Sequence, residues 1–221
     1  MDPVNLLHFR AAIFDLDGTL VLSEPAWEEA KRRALAEVGV SLPQATYDAY
    51  VGRGLRGFLT EALGEDAPDS LRQSVAARIG AEADRLLPQM HAPLPGAARA
   101  VQHLADSGLI IAVCSSSPRR HIQAALDQLA LTDRISVIVS GADLPRGKPD
   151  PLPYLETLRL LDLTADAAFA VEDALPGARS AHAAGLSVVG IGAESLKPDF
   201  AAFCRQRVAD YDDFLALAAP N

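Results

Sequence analysis

Cysteine, tryptophan and basic segments are scarce in this 221-residue chain, and each scarcity removes a class of function. Cys114 and Cys204 are the two cysteines, and Cys114 stands inside an apolar run. Neither a disulfide framework nor a zinc site is indicated, and a reducing compartment fits. Lys and Arg number 20 against 29 Asp and Glu, a net charge of −9 at pH 7, whereas a surface built for nucleic acid or anionic lipid needs the opposite balance. No apolar run approaches the roughly 18 residues of a membrane span. The opening segment MDPVNLLHFR is acidic where a signal peptide is basic, and its apolar part is too short. These absences predict a cytoplasmic protein with neither a nucleic-acid nor a membrane partner, and a monomer is the default expectation.

With 49% hydrophobic and 22% charged residues, the chain has the composition of a globular protein with a packed core. Five short apolar runs, at 10–16, 109–114, 135–140, 167–171 and 186–191, read as strands buried on both faces. Helical spacing punctuated by proline and glycine falls between the later runs, at 95–107, 118–129, 151–161 and 175–184, and a final helix is expected at 211–217. Alternating strands and helices predict an α/β fold, a Rossmann-like doubly wound parallel sheet. The stretch 22–92 breaks the alternation. It reads as helices at 24–38, 43–50, 55–63 and 69–87, interrupted by the glycine-rich turn GRGLRG at 52–57. The expected organisation is a core of 1–21 and 93–221 with a small all-helical insert, 22–92, standing over it.

In an open parallel sheet, ligands bind beyond the carboxyl ends of the strands, where loops converge and helix N-termini present free N–H groups. Here the first strand ends in Asp15, Leu16, Asp17, Gly18 and Thr19, and the second in Ser115, Ser116 and Ser117. The third leads to Lys148, and the fourth ends in Glu172 and Asp173. Carboxylates gathered this closely favour raised pKa values or a bound cation, and an all-oxygen set of Asp15, Asp17, Glu172 and Asp173 suits Mg²⁺. Ser115 and the N–H groups opening the helix at Pro118 can hold phosphate oxygens, with Lys148 as a point charge. The predicted site is built for a phosphoryl group.

FDLDGTL at 14–20, Ser115 after a strand, Lys148 in GKPDP and the acidic pair in VEDALPG together resemble the haloacid dehalogenase superfamily, in the branch with a small helical cap. The resemblance runs from Ala11 to about Gly192. It implies a Mg²⁺-dependent phosphatase acting on a small phosphorylated metabolite. Asp15 would be the nucleophile and a metal ligand, and Asp17 the general acid and base that also lends its backbone carbonyl to the metal. Asp173, with Glu172, would complete the metal shell, while Ser115 and Lys148 would hold the transferring group and Ser116 would touch the substrate. Dehalogenating members lack the second carboxylate, so Asp17 argues against that activity. Mutases of the β-phosphoglucomutase type carry a histidine on the first cap helix, where this chain has Trp27 in SEPAW, so hydrolysis is expected over isomerisation. A non-catalytic binding protein on the same fold would be expected to lose one of the two aspartates, and both are present. The SEPAW segment resembles cap starts in sugar-phosphate phosphatases and points to a sugar or sugar-alcohol phosphate.

In the glycine-rich turn, Arg53 is the expected substrate contact, with Arg56 beside it. Trp27 and Tyr50 read as packing, His121 and His182 as surface residues, Ser117 as a structural cap and Cys114 as core.

Overall fold

The structure is a computed structural model that describes residues 5–219; residues 1–4 of the opening segment lie outside the described residues, as do 220 and 221. The chain runs β1 (Ala11–Phe14), β2 (Val21–Leu22), α1 (Glu24–Glu37), α2 (Gln44–Ala49), α3 (Leu55–Leu63), α4 (Asp69–Met90) and β3 (Ala92–Pro93). It continues through α5 (Ala97–Asp106), β4 (Ile110–Ser115), α6 (Arg119–Gln128), β5 (Ile135–Ser140), α7 (Leu152–Leu161) and β6 (Ala168–Glu172). It ends with α8 (Leu175–Ala183), β7 (Ser187–Ile191), α9 (Gly192–Ser195), β8 (Gln206–Val208) and α10 (Tyr211–Leu217).

Six strands form one parallel sheet in the order β5-β4-β1-β6-β7-β8. Successive side chains of a strand point to opposite faces, and here both faces are apolar. Ala12, Phe14, Ile111, Val113, Phe169 and Val171 enter one core with Val101, Leu104, Ile122, Leu126 and Phe214 of α5, α6 and α10. Their neighbours Ala11, Ile13, Ala112, Cys114, Ala168 and Ala170 enter the other, against Tyr154 and Leu158 of α7 and Ala178 and Ala181 of α8. Helices therefore cover both faces, the doubly wound arrangement that the unbroken apolar runs predict. The sixth strand, β8, was not among the expected strands. It is a short edge strand with only Val208 buried, so it lacks the continuous apolar run that marks its neighbours.

Helices α1 to α4 have a core of their own. On α1, Ala26, Ala30 and Ala34 recur at i, i+4, i+8, a stripe of small side chains that lets the helix lie close against Val75, Ile79 and Ala83 of α4. Phe58 and Tyr47 close the far side, their rings 5.8 Å apart. Two corrections apply at the return. Val21 and Leu22 pair antiparallel with Pro93 and Ala92, so both crossings between the helices and the sheet share a two-stranded ribbon. Helix α4 also continues through Pro88 to Met90 rather than stopping at 87, because a proline in the last turn sacrifices a single hydrogen bond that few later residues depend on. Among the described residues, no helix is long and apolar enough to cross a membrane.

The separate core predicts that Ile79→Ala, a fully buried truncation, destabilises the helices by about 3 kcal/mol. Hydrogen exchange should accelerate in α1 and α4 well before β1 and β4. Equal acceleration in both regions would show that the helices and the sheet open as one unit.

Candidate active site

Register assembles the centre of the site. Phe14 of β1 lies opposite Val113 of β4 and Val171 of β6, so the next residues fall in one row near the carboxyl ends of three adjacent strands: Asp15 just past β1, Cys114 one residue before the end of β4, and Glu172 at the end of β6. Lys148, from the loop after β5, inserts its ammonium into that row. Nζ donates to Asp15 Oδ1 at 2.5 Å, to the Cys114 carbonyl at 2.8 Å and to Glu172 Oε1 at 2.7 Å. Lys148 and Glu172 are 5% and 1% exposed, so the ammonium exchanges its water shell for these three acceptors. Tyr154 of α7 donates its hydroxyl to the same Glu172 oxygen. Glu172 thus faces Lys148 and Tyr154, and Gly177 of α8 leaves room for it: a Cβ there would collide with the carboxylate.

The loop after β1 folds back tightly, with Leu20 N–H and Val21 N–H both donating to the Leu16 carbonyl. Gly18 takes φ +85°, a region that favours glycine, and a Cβ at that position would overlap the Asp173 carboxylate. The glycine therefore admits Asp173 beside the loop, where Thr19 Oγ1 donates to it at 3.2 Å. Tyr211 of α10 holds the loop from behind through a 2.7 Å bond to the Thr19 carbonyl. Asp15, Glu172 and Asp173 each offer an oxygen within 4.8 Å of the others.

Asp17 is held differently. Its Oδ2 accepts from Ser115 Oγ at 3.1 Å and Ser117 Oγ at 2.7 Å, both from the sheet side. Its Oδ1 accepts from Ser23 Oγ and from the indole N–H of Trp27 at 3.2 Å, both from the helical insert. Trp27 and Ser117 therefore do more than pack or cap, since both donate to this carboxylate. His121 is also not a surface residue. It is 9% exposed, paired through Nε2 with Asp84 Oδ1 at 2.6 Å and set edge-on to Trp27. His182 is exposed, as expected.

The two substrate-contact candidates lie farther out. Ser116 Oγ donates to the Gly52 carbonyl at 3.3 Å, joining the sheet to the glycine-rich turn. Arg53 is exposed, its guanidinium 5.5 Å from the centroid of the Tyr50 ring, and it has no hydrogen bond to the carboxylate cluster. Arg56 reaches the Pro145 carbonyl. Two charged residues that the sequence did not single out feel the charge of Asp17. Glu24 and Lys31 share the α1 face that carries Trp27, by their i, i+3, i+7 spacing. Lys31 is 8% exposed with no carboxylate oxygen within 4 Å among the described residues. Burial lowers its pKa against the opposing pull of Glu24, and burial raises that of Glu24 against the opposing pull of Lys31.

Electrostatics in the row follow from burial and crowding. Desolvation raises the Asp15 pKa well above the ordinary range, Lys148 opposes it, and Glu172, Asp173 and Asp17 raise it further. Burial alone would lower Lys148, but Asp15 and Glu172 outweigh it and keep the ammonium charged. Asp173 is pushed up to about 8, first by burial and then by Glu172. Burial also keeps Tyr154 protonated, as its donation to Glu172 requires, and pushes the Cys114 thiol up to about 12, which suits a core residue.

The haloacid dehalogenase-like hydrolase family matches residues 9–185, and the chain belongs to it; it is a hydrolase of that family. It is 34% identical over 224 aligned positions to a phosphoglycolate phosphatase of Rhodospirillum rubrum, with 94% of this chain and 89% of the relative covered. It is 30% identical over 192 positions to hexitol phosphatase B of Escherichia coli, with 86% of each covered. The fold superimposes on the crystal structure of a β-phosphoglucomutase from Clostridium difficile with a TM-score of 0.82, at 19% identity and 92% coverage of both chains.

A cation-free test follows from Asp173. Its folded pKa of about 8 exceeds the ordinary value of 3.8, so the folded chain holds a proton that the unfolded chain has released. Stability must therefore fall as pH rises from about 5 to about 8. The melting temperature measured in EDTA should drop over this window, and less so in Asp173→Asn. A melting temperature in EDTA that falls equally in wild type and Asp173→Asn would contradict the raised pKa.

Proposed function

We propose that the chain is a Mg²⁺-dependent phosphatase that transfers the phosphoryl group of a small metabolite to Asp15 and then hydrolyses the aspartyl phosphate. The observation that carries the reading is the Asp15 carboxylate held against Lys148, with a hydroxyl-bound Asp17 two residues further on.

Asp15, Asp173 and the backbone carbonyl of Asp17 would hold the cation, with Glu172 beside them. The donors fit a hard cation, because all are oxygens and the three clustered side chains are carboxylates whose repulsion a cation relieves. When bound, Mg²⁺ screens the negative charge between the carboxylate and the phosphoryl oxygens. Lys148 adds fixed positive charge on the same side, Ser115 offers its hydroxyl to the equatorial oxygens, and Ser116, at the junction with the glycine-rich turn, touches the substrate. Asp15 attacks phosphorus as the ester bond breaks, and Asp17 gives its proton to the leaving oxygen. Asp17, now ionised, takes a proton from water as the water oxygen displaces Asp15 from phosphorus. The enzyme returns to its starting state with one phosphate released.

The helical insert, 22–92, acts as the cap that closes over this chemistry and chooses the leaving group. The leaving group is a sugar or sugar alcohol, with phosphoglycolate as the competing candidate among the relatives' substrates. Glu24 accepts hydrogen bonds and Lys31 only donates them, a pairing that suits hydroxyls, which do both. A carboxylate-bearing leaving group would gain from Lys31 but be repelled by Glu24. Hydrolysis is favoured over mutase chemistry because Trp27, which bonds Asp17, is a pure donor with no proton to exchange near neutral pH. The acidic composition and the scarce cysteines support a cytoplasmic location, and a monomer is the default.

Phosphate release across hexose phosphates, hexitol phosphates, phosphoglycolate and p-nitrophenyl phosphate, with Mg²⁺ or EDTA, tests the reading. Release with Mg²⁺ alone is expected, highest on a sugar or sugar-alcohol phosphate; isomerisation of a hexose phosphate without release would establish the mutase instead. Asp15→Asn should abolish turnover while the chain stays folded, at a melting temperature lowered by the loss of one partner of the buried Lys148. Asp17→Asn should still bind Mg²⁺ yet lose at least about a hundredfold in kcat, the loss of one proton-transfer group. Substantial turnover in either variant contradicts the division of roles.

A further inference from the structure

Asp17 receives half of its hydrogen bonds from the helical insert, and Trp27 supplies one of them. An indole N–H is directional, so the bond exists only while the ring plane is held at the right angle. The neighbour that sets this angle is His121 of α6, which belongs to the sheet unit. The two ring centroids lie 5.1 Å apart at an interplanar angle of 68°, an edge-to-face contact. His121 is itself clasped by the insert, since Nε2 donates to Asp84 Oδ1 of α4 at 2.6 Å, and the same oxygen accepts from Arg120 Nε at 2.9 Å. Nδ1 is buried with no partner among the described residues. A polar ring in that position is held by Asp84 and Trp27, not by a satisfied hydrogen-bond shell. A cavity of about 270 Å³ lies beside it, lined by Asp17, Asp84, Leu87, Arg120 and Gln128 among others. The ring therefore has space to relax into if the Asp84 bond is lost.

We propose that His121 is a positioning residue: clasped by Asp84, it holds the Trp27 indole on Asp17 and so ties the orientation of that carboxylate to the seating of the helical insert. The inference rests on the acid–base role proposed above for Asp17, but its geometry can be read without turnover. Trp27 is the single tryptophan of the chain, so its fluorescence reports this contact alone.

The test compares Asp84→Asn, His121→Phe and Trp27→Phe with the double variant His121→Phe/Trp27→Phe. Asp84 is half exposed, so Asp84→Asn weakens the clasp with little risk to folding. In Asp84→Asn and His121→Phe, Trp27 emission should shift and acrylamide quenching should increase, while the melting temperature stays near wild type for Asp84→Asn. On p-nitrophenyl phosphate, kcat should fall about tenfold in His121→Phe with KM changed far less, as expected for a lost bond to a charged group that does not bind substrate. The double variant should be no slower than Trp27→Phe, because His121 acts through Trp27. Additive losses in the double variant, or unchanged Trp27 fluorescence in both clasp variants, would overturn the inference. Absence of wild-type phosphatase activity would instead defeat the functional reading and leave the fluorescence test standing.

Discussion

The ammonium of Lys148, buried between the carboxylates of Asp15 and Glu172, is the interaction on which the rest of the site depends. A charge removed from water this completely is tolerated only when its partners are close and themselves satisfied. The parallel register of β1, β4 and β6 meets the requirement by setting acceptors from three neighbouring strands in one row near their carboxyl ends. Tyr154 and the space at Gly177 then fix Glu172, so its negative charge is spent on Lys148 while Asp15 keeps its second oxygen for other work. Removing one partner would leave an uncompensated charge worth roughly 3–5 kcal/mol. The pairing binds stability and chemistry together.

The second carboxylate follows a different logic. Asp17 lies at the seam between the sheet and the helical insert, with two donors from each side. Its surroundings are hydroxyls and an indole, donors that fix the orientation of the carboxylate without adding charge. Asp15 shares its bonds with a buried cation, whereas Asp17 shares its bonds with a moving boundary in the proposed closure of the cap. Two aspartates separated by one residue can thus serve opposite purposes, because one is set by strand register and the other by the packing of α1 against the core.

Much of this was legible in the sequence, for physical reasons that can be named. Strands buried on both faces appear as unbroken apolar runs, so β1, β4, β6 and β7 stood out; β5 carries such a run too but is an edge strand, partly exposed over Ile135–Ile138, and not buried on both faces as its run predicts. The rule that ligands gather at carboxyl ends pointed to Asp15, Asp17, Ser115, Lys148, Glu172 and Asp173. The short pairs escaped because β2, β3 and β8 carry too few residues to show a period. Tyr154, Trp27 and His121 escaped for another reason: aromatic residues at helical spacing look alike whether they pack or donate, and only tertiary contact decides. For Tyr154 a signal existed, its position six residues after Lys148 on the helix that the GKPDP loop starts. For Lys31 there was none, since a lysine in a charged helix ordinarily faces water.

The central claim is that the row of Asp15, Lys148 and Glu172 exists to let a carboxylate attack phosphorus. The most direct measurement is the mass of the intact chain after rapid acid quench of a reaction with a turned-over phosphoester and Mg²⁺, followed by mapping of the peptide that contains Asp15. The account predicts a transient gain of one phosphoryl group on Asp15. Phosphate release with no covalent adduct at any quench time, or an adduct on another residue, would contradict it.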